Sequence, residues 1–216
     1  MLIIFDCDGV LVDSEPLANQ ILAEYLSELG LPHTGAECQA RYVGRSIPSV
    51  MAEIENDSGV KLPADFHAEL WRRDQIAFAG RLHAIAGVAD EIRKLVDAAR
   101  PICVASSSAP ERIRNSLSVT GLIDFFDGKL FSAAQVVHGK PAPDLFLLAA
   151  SRMGVAPERC VVIEDSVAGI TAARAAGMRA LGFTGGGHCG PDDGARLRQA
   201  GAHAVFDAMA MLGELL

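Results

Sequence analysis

The 216-residue sequence is short of basic side chains, of paired cysteines and of long apolar runs. Nineteen Lys and Arg stand against 27 Asp and Glu, a formal net charge of −8. A chain this acidic repels nucleic acid and anionic membrane surfaces, which argues against both as partners. The five cysteines, Cys7, Cys38, Cys103, Cys160 and Cys189, are odd in number and no two have C-x-x-C spacing. They suggest neither a structural zinc site nor a disulfide framework. No stretch approaches 18 consecutive apolar residues, and the opening MLIIFDCD has no basic start, so neither a membrane span nor a signal peptide is expected. A reduced, cytoplasmic compartment fits best. The glycine-rich stretch 185–190 (GGGHCG) lacks the G-x-x-x-x-G-K spacing of a phosphate loop and reads as an ordinary surface loop. Of the six histidines, none has ligand spacing; His138 alone lies near another candidate residue, and His188 receives no role.

What is present is a hydrophobic half, enough to bury about 70% of the unfolded surface in a chain of this length. Four short apolar runs, 2–5 (LIIF), 102–105 (ICVA), 160–163 (CVVI) and 179–183 (RALGF), have the length and continuity of strands buried on both faces. Helical patterns lie between them. Ser108 and Glu111 have the spacing of a capping box opening a helix to about Val119, Ala142–Met153 is apolar on one face, and Ser166 caps a helix that stops at Gly177. Strand and helix in alternation predict a parallel, doubly wound α/β sheet. Residues 14–84 break the rhythm with four helical patterns and no strand, and their net charge is −4 (6 basic, 10 acidic). The expected division is therefore a core of residues 1–13 and 85–216, interrupted by a helical domain of residues 14–84.

Chemistry gathers at the predicted strand ends. The first strand runs into Asp6-Cys7-Asp8-Gly9, the second into Ser106-Ser107-Ser108, and the third into Glu164-Asp165-Ser166, while Lys140 precedes Pro141 between the last two. Taken singly, each reads more readily as a turn, a helix cap or a solvated charge than as part of a site. In an open parallel sheet, however, all of these strand ends face one crevice. Four carboxylates and one ammonium then carry −3, a costly cluster without a divalent cation inside it. Oxygen ligands suit Mg²⁺, which shares its coordination shell readily with phosphate.

These residues carry a family resemblance. Asp6-x-Asp8-Gly-Val-Leu-Val-Asp13-Ser14, Ser106 after a strand, Lys140-Pro141, and Glu164-Asp165-Ser166-x-x-Gly169 resemble, in order and spacing, the four motifs of the haloacid dehalogenase superfamily. The helical insert resembles the C1 cap of the β-phosphoglucomutase-like phosphatase branch. The resemblance implies an Mg²⁺-dependent phosphatase acting on a small phosphorylated sugar or sugar acid through an aspartyl-phosphate. It implies Asp6 as nucleophile, Asp8 as acid and base, Ser106 as a phosphoryl ligand aided by Ser107, and Lys140 as a bridge from Asp6 to the phosphoryl group. Asp6, the Asp8 carbonyl, Glu164 and Asp165 would position Mg²⁺, and Gly169 would allow close backbone packing. Gly9, the hinge residues Ser14 and Glu15, and the loop residues Arg45 and Ser46 become candidate substrate contacts.

Departures from relatives narrow this further. Asp8 is present where the dehalogenases lack the second aspartate. Position 18 is alanine where the sugar-phosphate mutases carry histidine. Lys61, the one lysine of the insert, sits in a polar turn rather than where a Schiff-base lysine is expected. A phospho-accepting receiver module shares the acidic cluster, hydroxyl and lysine, but lacks a large helical insert. The expected ligand is a small-molecule phosphate ester, and the expected assembly a monomer or small homo-oligomer.

Overall fold

The computed structural model describes residues 1–43, 45 and 47–216. They divide into two compact units, Met1–Asp13 with His83–Leu216, and Ser14–Leu82. The first unit is built on a six-stranded, wholly parallel sheet: β1 (Leu2–Phe5), β2 (Ile102–Ser106), β3 (Leu130–Ser132), β4 (Cys160–Glu164), β5 (Arg179–Phe183) and β6 (Ala204–Phe206). Their spatial order is β3-β2-β1-β4-β5-β6. From β1 the chain winds outward to β3, then returns to β4 and winds outward to β6. The order reverses beside β1, where sheets of this kind place their ligand crevice, outside the carboxyl ends of β1, β2 and β4.

The central strands are buried along their whole length, which is why they read as unbroken apolar runs. Alternate residues serve opposite faces. Leu2, Ile4, Cys103, Ala105, Cys160, Val162 and Ala180 pack in one cluster with Leu145, Phe146 and Ala149 of α7 (Asp144–Arg152) and Ile170, Ala172 and Ala173 of α8 (Val167–Ala175). The intervening Phe5 meets Phe126 edge to face at 6.2 Å. The other helices of this unit are α5 (Val88–Asp97), α6 (Pro110–Val119), α9 (Asp193–Gln199) and α10 (Leu212–Leu215). Two strands, β3 and β6, were not anticipated; each has only three residues and β3 and β6 form the sheet's edges.

The second unit is helical throughout: α1 (Ser14–Glu28), α2 (Gly35–Tyr42), α3 (Ile47–Ser58) and α4 (Phe66–Arg81). α2 starts on a full capping box, in which Thr34 accepts from the Glu37 amide (3.2 Å) and Glu37 accepts from the Thr34 amide (2.7 Å). Tyr25 of α1 stacks on Phe66 at a centroid distance of 4.8 Å. The Arg73 guanidinium lies 4.1 Å from the centroid of Tyr25 and is forked by Glu28 at 2.7 and 2.8 Å. Arg73 is thus a half-buried clamp between α1 and α4; Arg72 beside it is exposed and pairs with Glu69. Among the described residues no helix is long and apolar enough to cross a membrane, and all five cysteines are free.

Candidate active site

The site begins where β1 stops. The Asp6 amide still donates to Ile163 of β4 (3.0 Å), so the strand pairing holds Asp6 itself. Immediately after it the chain turns back, with the Leu11 and Val12 amides donating to the Cys7 carbonyl and Gly9 at φ +77°. A side chain at Gly9 would run into the Asp165 carboxylate, so glycine is required here both by backbone conformation and by space.

Lys140 joins the strand ends. Its ammonium donates to Asp6 Oδ1 (2.7 Å), Glu164 Oε1 (2.6 Å) and the Ala105 carbonyl at the end of β2 (3.0 Å). Three N–H groups meet three acceptors. The side chain is only 4% exposed. Burial works against its charge, yet Asp6 and Glu164 together hold its pKa above the ordinary lysine range. Burial pushes the Asp6 carboxyl well up, against the pull of Lys140.

Glu164 closes β4. One oxygen takes Lys140; the other accepts from the Ser166 amide (3.0 Å) and hydroxyl (2.8 Å). Ser166 also caps α8 by accepting from the Gly169 amide at 3.0 Å. A Cβ at Gly169 would collide with the Glu164 carboxylate, so that glycine permits the close packing anticipated for it.

Asp6, Glu164 and Asp165 can each offer a carboxylate oxygen within 4.8 Å of the others. Buried hard oxygen donors in this number suit Mg²⁺, and the residues therefore fit the ion the motifs imply. The Asp8 carboxylate is not among them. It accepts from the Ser108 hydroxyl at 2.6 Å, and the Arg112 Nε lies 3.7 Å away.

Ser106, at the end of β2, is 1% exposed, and its hydroxyl accepts from the Ser108 amide at 3.1 Å. Ser107 beside it is exposed. Ser108 does not form the expected capping box. α6 starts at Pro110 with Ala109 as its cap residue and no side-chain cap bond. The Ser108 hydroxyl is taken by Asp8, and its carbonyl accepts from Ser132 at the end of β3 (2.7 Å).

The loop 185–190 is also more than a surface connection. It places His188 with its side chain 8% exposed and Nε2 3.1 Å from Asp165 Oδ2. Burial opposes an imidazolium there, but the bonds to Asp165 and Cys189 outweigh it and push the His188 pKa up to about 11. Arg112 and His188 are thus site residues that sequence reasoning passed over, while Ser108, read there as a helix cap, holds Asp8 instead and is braced by Ser132. His188 follows the end of β5, the one strand read from the sequence to whose end the crevice argument was not applied.

Ser14, Glu15 and Arg45 belong to the helical unit. Ser14 is fully buried at the start of α1, and the Glu15 carbonyl accepts from Asn19 (2.8 Å). Arg45 is exposed, pairs with Glu53 and donates to the Ser49 hydroxyl at 3.0 Å. Ser46, named with them from sequence, lies outside the described residues.

Comparison with known proteins gives the family. Residues 1–177 match the family described as haloacid dehalogenase-like hydrolase. The chain is 32% identical to a 6-phosphogluconate phosphatase of Escherichia coli K12, over 88% of this chain and 85% of that protein. It is 35% identical to a fructose-1-phosphate phosphatase of the same organism, over 83% and 94% respectively. A crystal structure of a HAD family hydrolase from Deinococcus radiodurans R1, with bound phosphate and sodium, superposes with a TM-score of 0.84 at 37% identity, covering 98% of this chain and 92% of that one.

Proposed function

Because this chain belongs to the haloacid dehalogenase-like hydrolases, we propose that it hydrolyses the phosphate monoester of a small sugar or sugar acid, with Asp6 as the nucleophile. The observation that carries the proposal is the triangle at the crevice. Asp6 is buried at the end of β1 and held by a lysine whose second carboxylate partner, Glu164, ends the neighbouring strand β4. Names of relatives supply the substrate class: one is a phosphatase of a phosphorylated sugar acid, another of a sugar phosphate.

The reaction divides into two displacements. An Asp6 carboxylate oxygen attacks phosphorus and the bond to the ester oxygen breaks, leaving an aspartyl-phosphate. Asp8 gives its proton to the departing alkoxide, then accepts a proton from the water that attacks the same phosphorus. Inorganic phosphate leaves and the Asp6 carboxylate is restored. Ser108 and Arg112 orient Asp8 for this work. Ser106 and the Ser107 amide hold phosphoryl oxygens, and Lys140 neutralises charge on Asp6 as it changes partners. Asp6, the Asp8 carbonyl, Asp165 and Glu164 would hold Mg²⁺, which when bound would supply neutralisation of the phosphoryl oxygens.

We assign the helical unit, residues 14–82, the role of a cap that keeps bulk water from the phosphoryl transfer. Arg45 is the candidate there for a second anionic group on the substrate, with its guanidinium already oriented by Glu53 and Ser49. The test is a panel of phosphate esters with Mg²⁺, run on the wild-type chain and on Asp6→Asn. Turnover of sugar phosphates that vanishes in the variant is the expected result. Wild-type rates in Asp6→Asn, or one phosphorylation per chain that then stalls, would sink the hydrolase mechanism; the stall would favour a receiver-like module. In the same panel, Arg45→Ala should lose activity on esters with a second anion and keep it on the others.

A further inference from the structure

We propose that His188 is a positioning residue for the metal carboxylate Asp165, and that the glycine loop after β5 exists to deliver it. The inference rests on the metal reading above and adds a residue outside the four motifs. His188 Nε2 lies 3.1 Å from Asp165 Oδ2, with both side chains 8% exposed. The His188 ring sits in a niche built by glycine on two sides. A Cβ at Gly9 would run into Asp165 itself and come within 2.7 Å of the His188 ring; one at Gly186 would lie 2.8 Å from the ring and 2.9 Å from the Gly9 carbonyl.

The loop that carries the ring is fastened at three further points. Asp13 accepts from the Gly187 amide (2.9 Å), the Gly186 carbonyl from the Cys189 amide (3.0 Å), and Asp193, the first residue of α9, from the Gly190 amide (2.8 Å). A loop pinned this densely presents one side chain in one place.

The physical consequence concerns the freedom of a carboxylate. An aspartate with both oxygens free rotates about its terminal torsion, and a cation must halt that rotation to bind. His188 holds one oxygen, so the other is already placed. Partners that orient metal ligands in this way are worth about 10–100-fold in metal affinity. His188 makes no contact with reacting atoms in this account; it acts through Asp165.

The experiment counts bound Mn²⁺, a hard cation with the same oxygen preference, by electron paramagnetic resonance of the free ion in titrations of the full chain. His188→Leu fills the buried space without a donor, and His188→Gln keeps an N–H at the matching position. We expect Leu to weaken Mn²⁺ binding by about 10–100-fold and Gln to stay within about threefold of wild type, with kcat at saturating metal preserved in both. Where Leu does not fold, Gly186→Ala, which keeps the imidazole but crowds its ring, must show the same weakening. Wild-type Mn²⁺ affinity in a folded Leu variant, or in Gly186→Ala, overturns the inference and leaves the metal site standing. A wild-type chain that takes up no Mn²⁺ overturns the metal reading and this inference with it.

Discussion

At the scale of single residues, the site depends on charges that have been moved out of water and given partners. Lys140 is the sharpest case. Truncated to methionine, it leaves Asp6 and Glu164 facing each other in a buried crevice, and removing one partner from a buried ionic group costs about 3–5 kcal/mol. Lys140→Met should therefore lose stability of that size in urea unfolding, on top of its activity. Adding Glu164→Gln to it should restore part of the stability and none of the turnover, because one unpaired charge is gone. A single variant as stable as wild type would mean that Lys140 is not charged in the folded state. Ser108 tests a different link. Its hydroxyl fixes the Asp8 carboxylate, and Asp8 matters most when the leaving oxygen needs a proton. Ser108→Ala should slow hydrolysis of sugar phosphates on the order of tenfold while barely slowing p-nitrophenyl phosphate, whose phenolate leaves unaided. Equal losses on both esters would assign Ser108 a role in phosphate binding instead.

At the scale of elements, α8 shows local preference yielding to packing. Gly169 sits inside this helix, where alanine is ordinarily better by about 1 kcal/mol. Here the added methyl would meet the Glu164 carboxylate, so Gly169→Ala should lower the melting temperature and disturb the Lys140 triangle together. A stabilised variant would mean that Glu164 can swing away at little cost. The same competition decides what could be read from sequence. β1, β2, β4 and β5 are legible because strands of a parallel sheet buried on both faces are continuous apolar runs. β3 and β6, three residues each at the edges, are too short to carry any period. Asp6, Lys140, Glu164 and Asp165 are legible because strand ends beside the reversal in strand order converge, whatever lies between them in the chain. Ser108 is misread because its capping spacing is real, but Asp8, a hundred residues earlier, and Ser132 take its polar groups. His188 is missed for the same reason: its partner, Asp165, is distant in sequence, and only the closure of the loop against Gly9 brings the two together.

At the scale of the whole molecule, the excess of acid is not spread evenly in its effects. The glutamates held below the ordinary carboxylate value of 4.5 are Glu28, Glu37, Glu53, Glu55 and Glu69, and among the described residues all five lie in the helical unit. Hydrogen bonds from arginine, lysine or backbone N–H groups lower them, and Glu69, gripped by Arg72 and Arg73, falls to about 2. In the core, Asp6 and Asp165 move the other way, because burial is the largest influence on each. A group whose folded value is depressed adds stability above its unfolded value and loses it as the pH falls through the folded one. The helical unit should therefore weaken progressively below about pH 4.5, with the Glu69 contribution persisting longest, while the strands β1 and β4 gain nothing from those pairs and lose nothing with them. Glu28 and Glu37 are exposed and Glu53, Glu55 and Glu69 half-buried, so all five stay in reach of solvent and the effect should shrink in about 0.5 M salt, where screening is short-ranged. Hydrogen exchange of the full chain at about pH 3 and pH 6, corrected for the intrinsic chemistry of exchange, resolves the two units by peptide. Loss of protection confined to residues 14–82, and reduced by salt and by Glu69→Gln relative to its own neutral-pH baseline, is the expected pattern. Protection lost first in β1 and β4 would place the acid-sensitive charges in the crevice rather than among the helices.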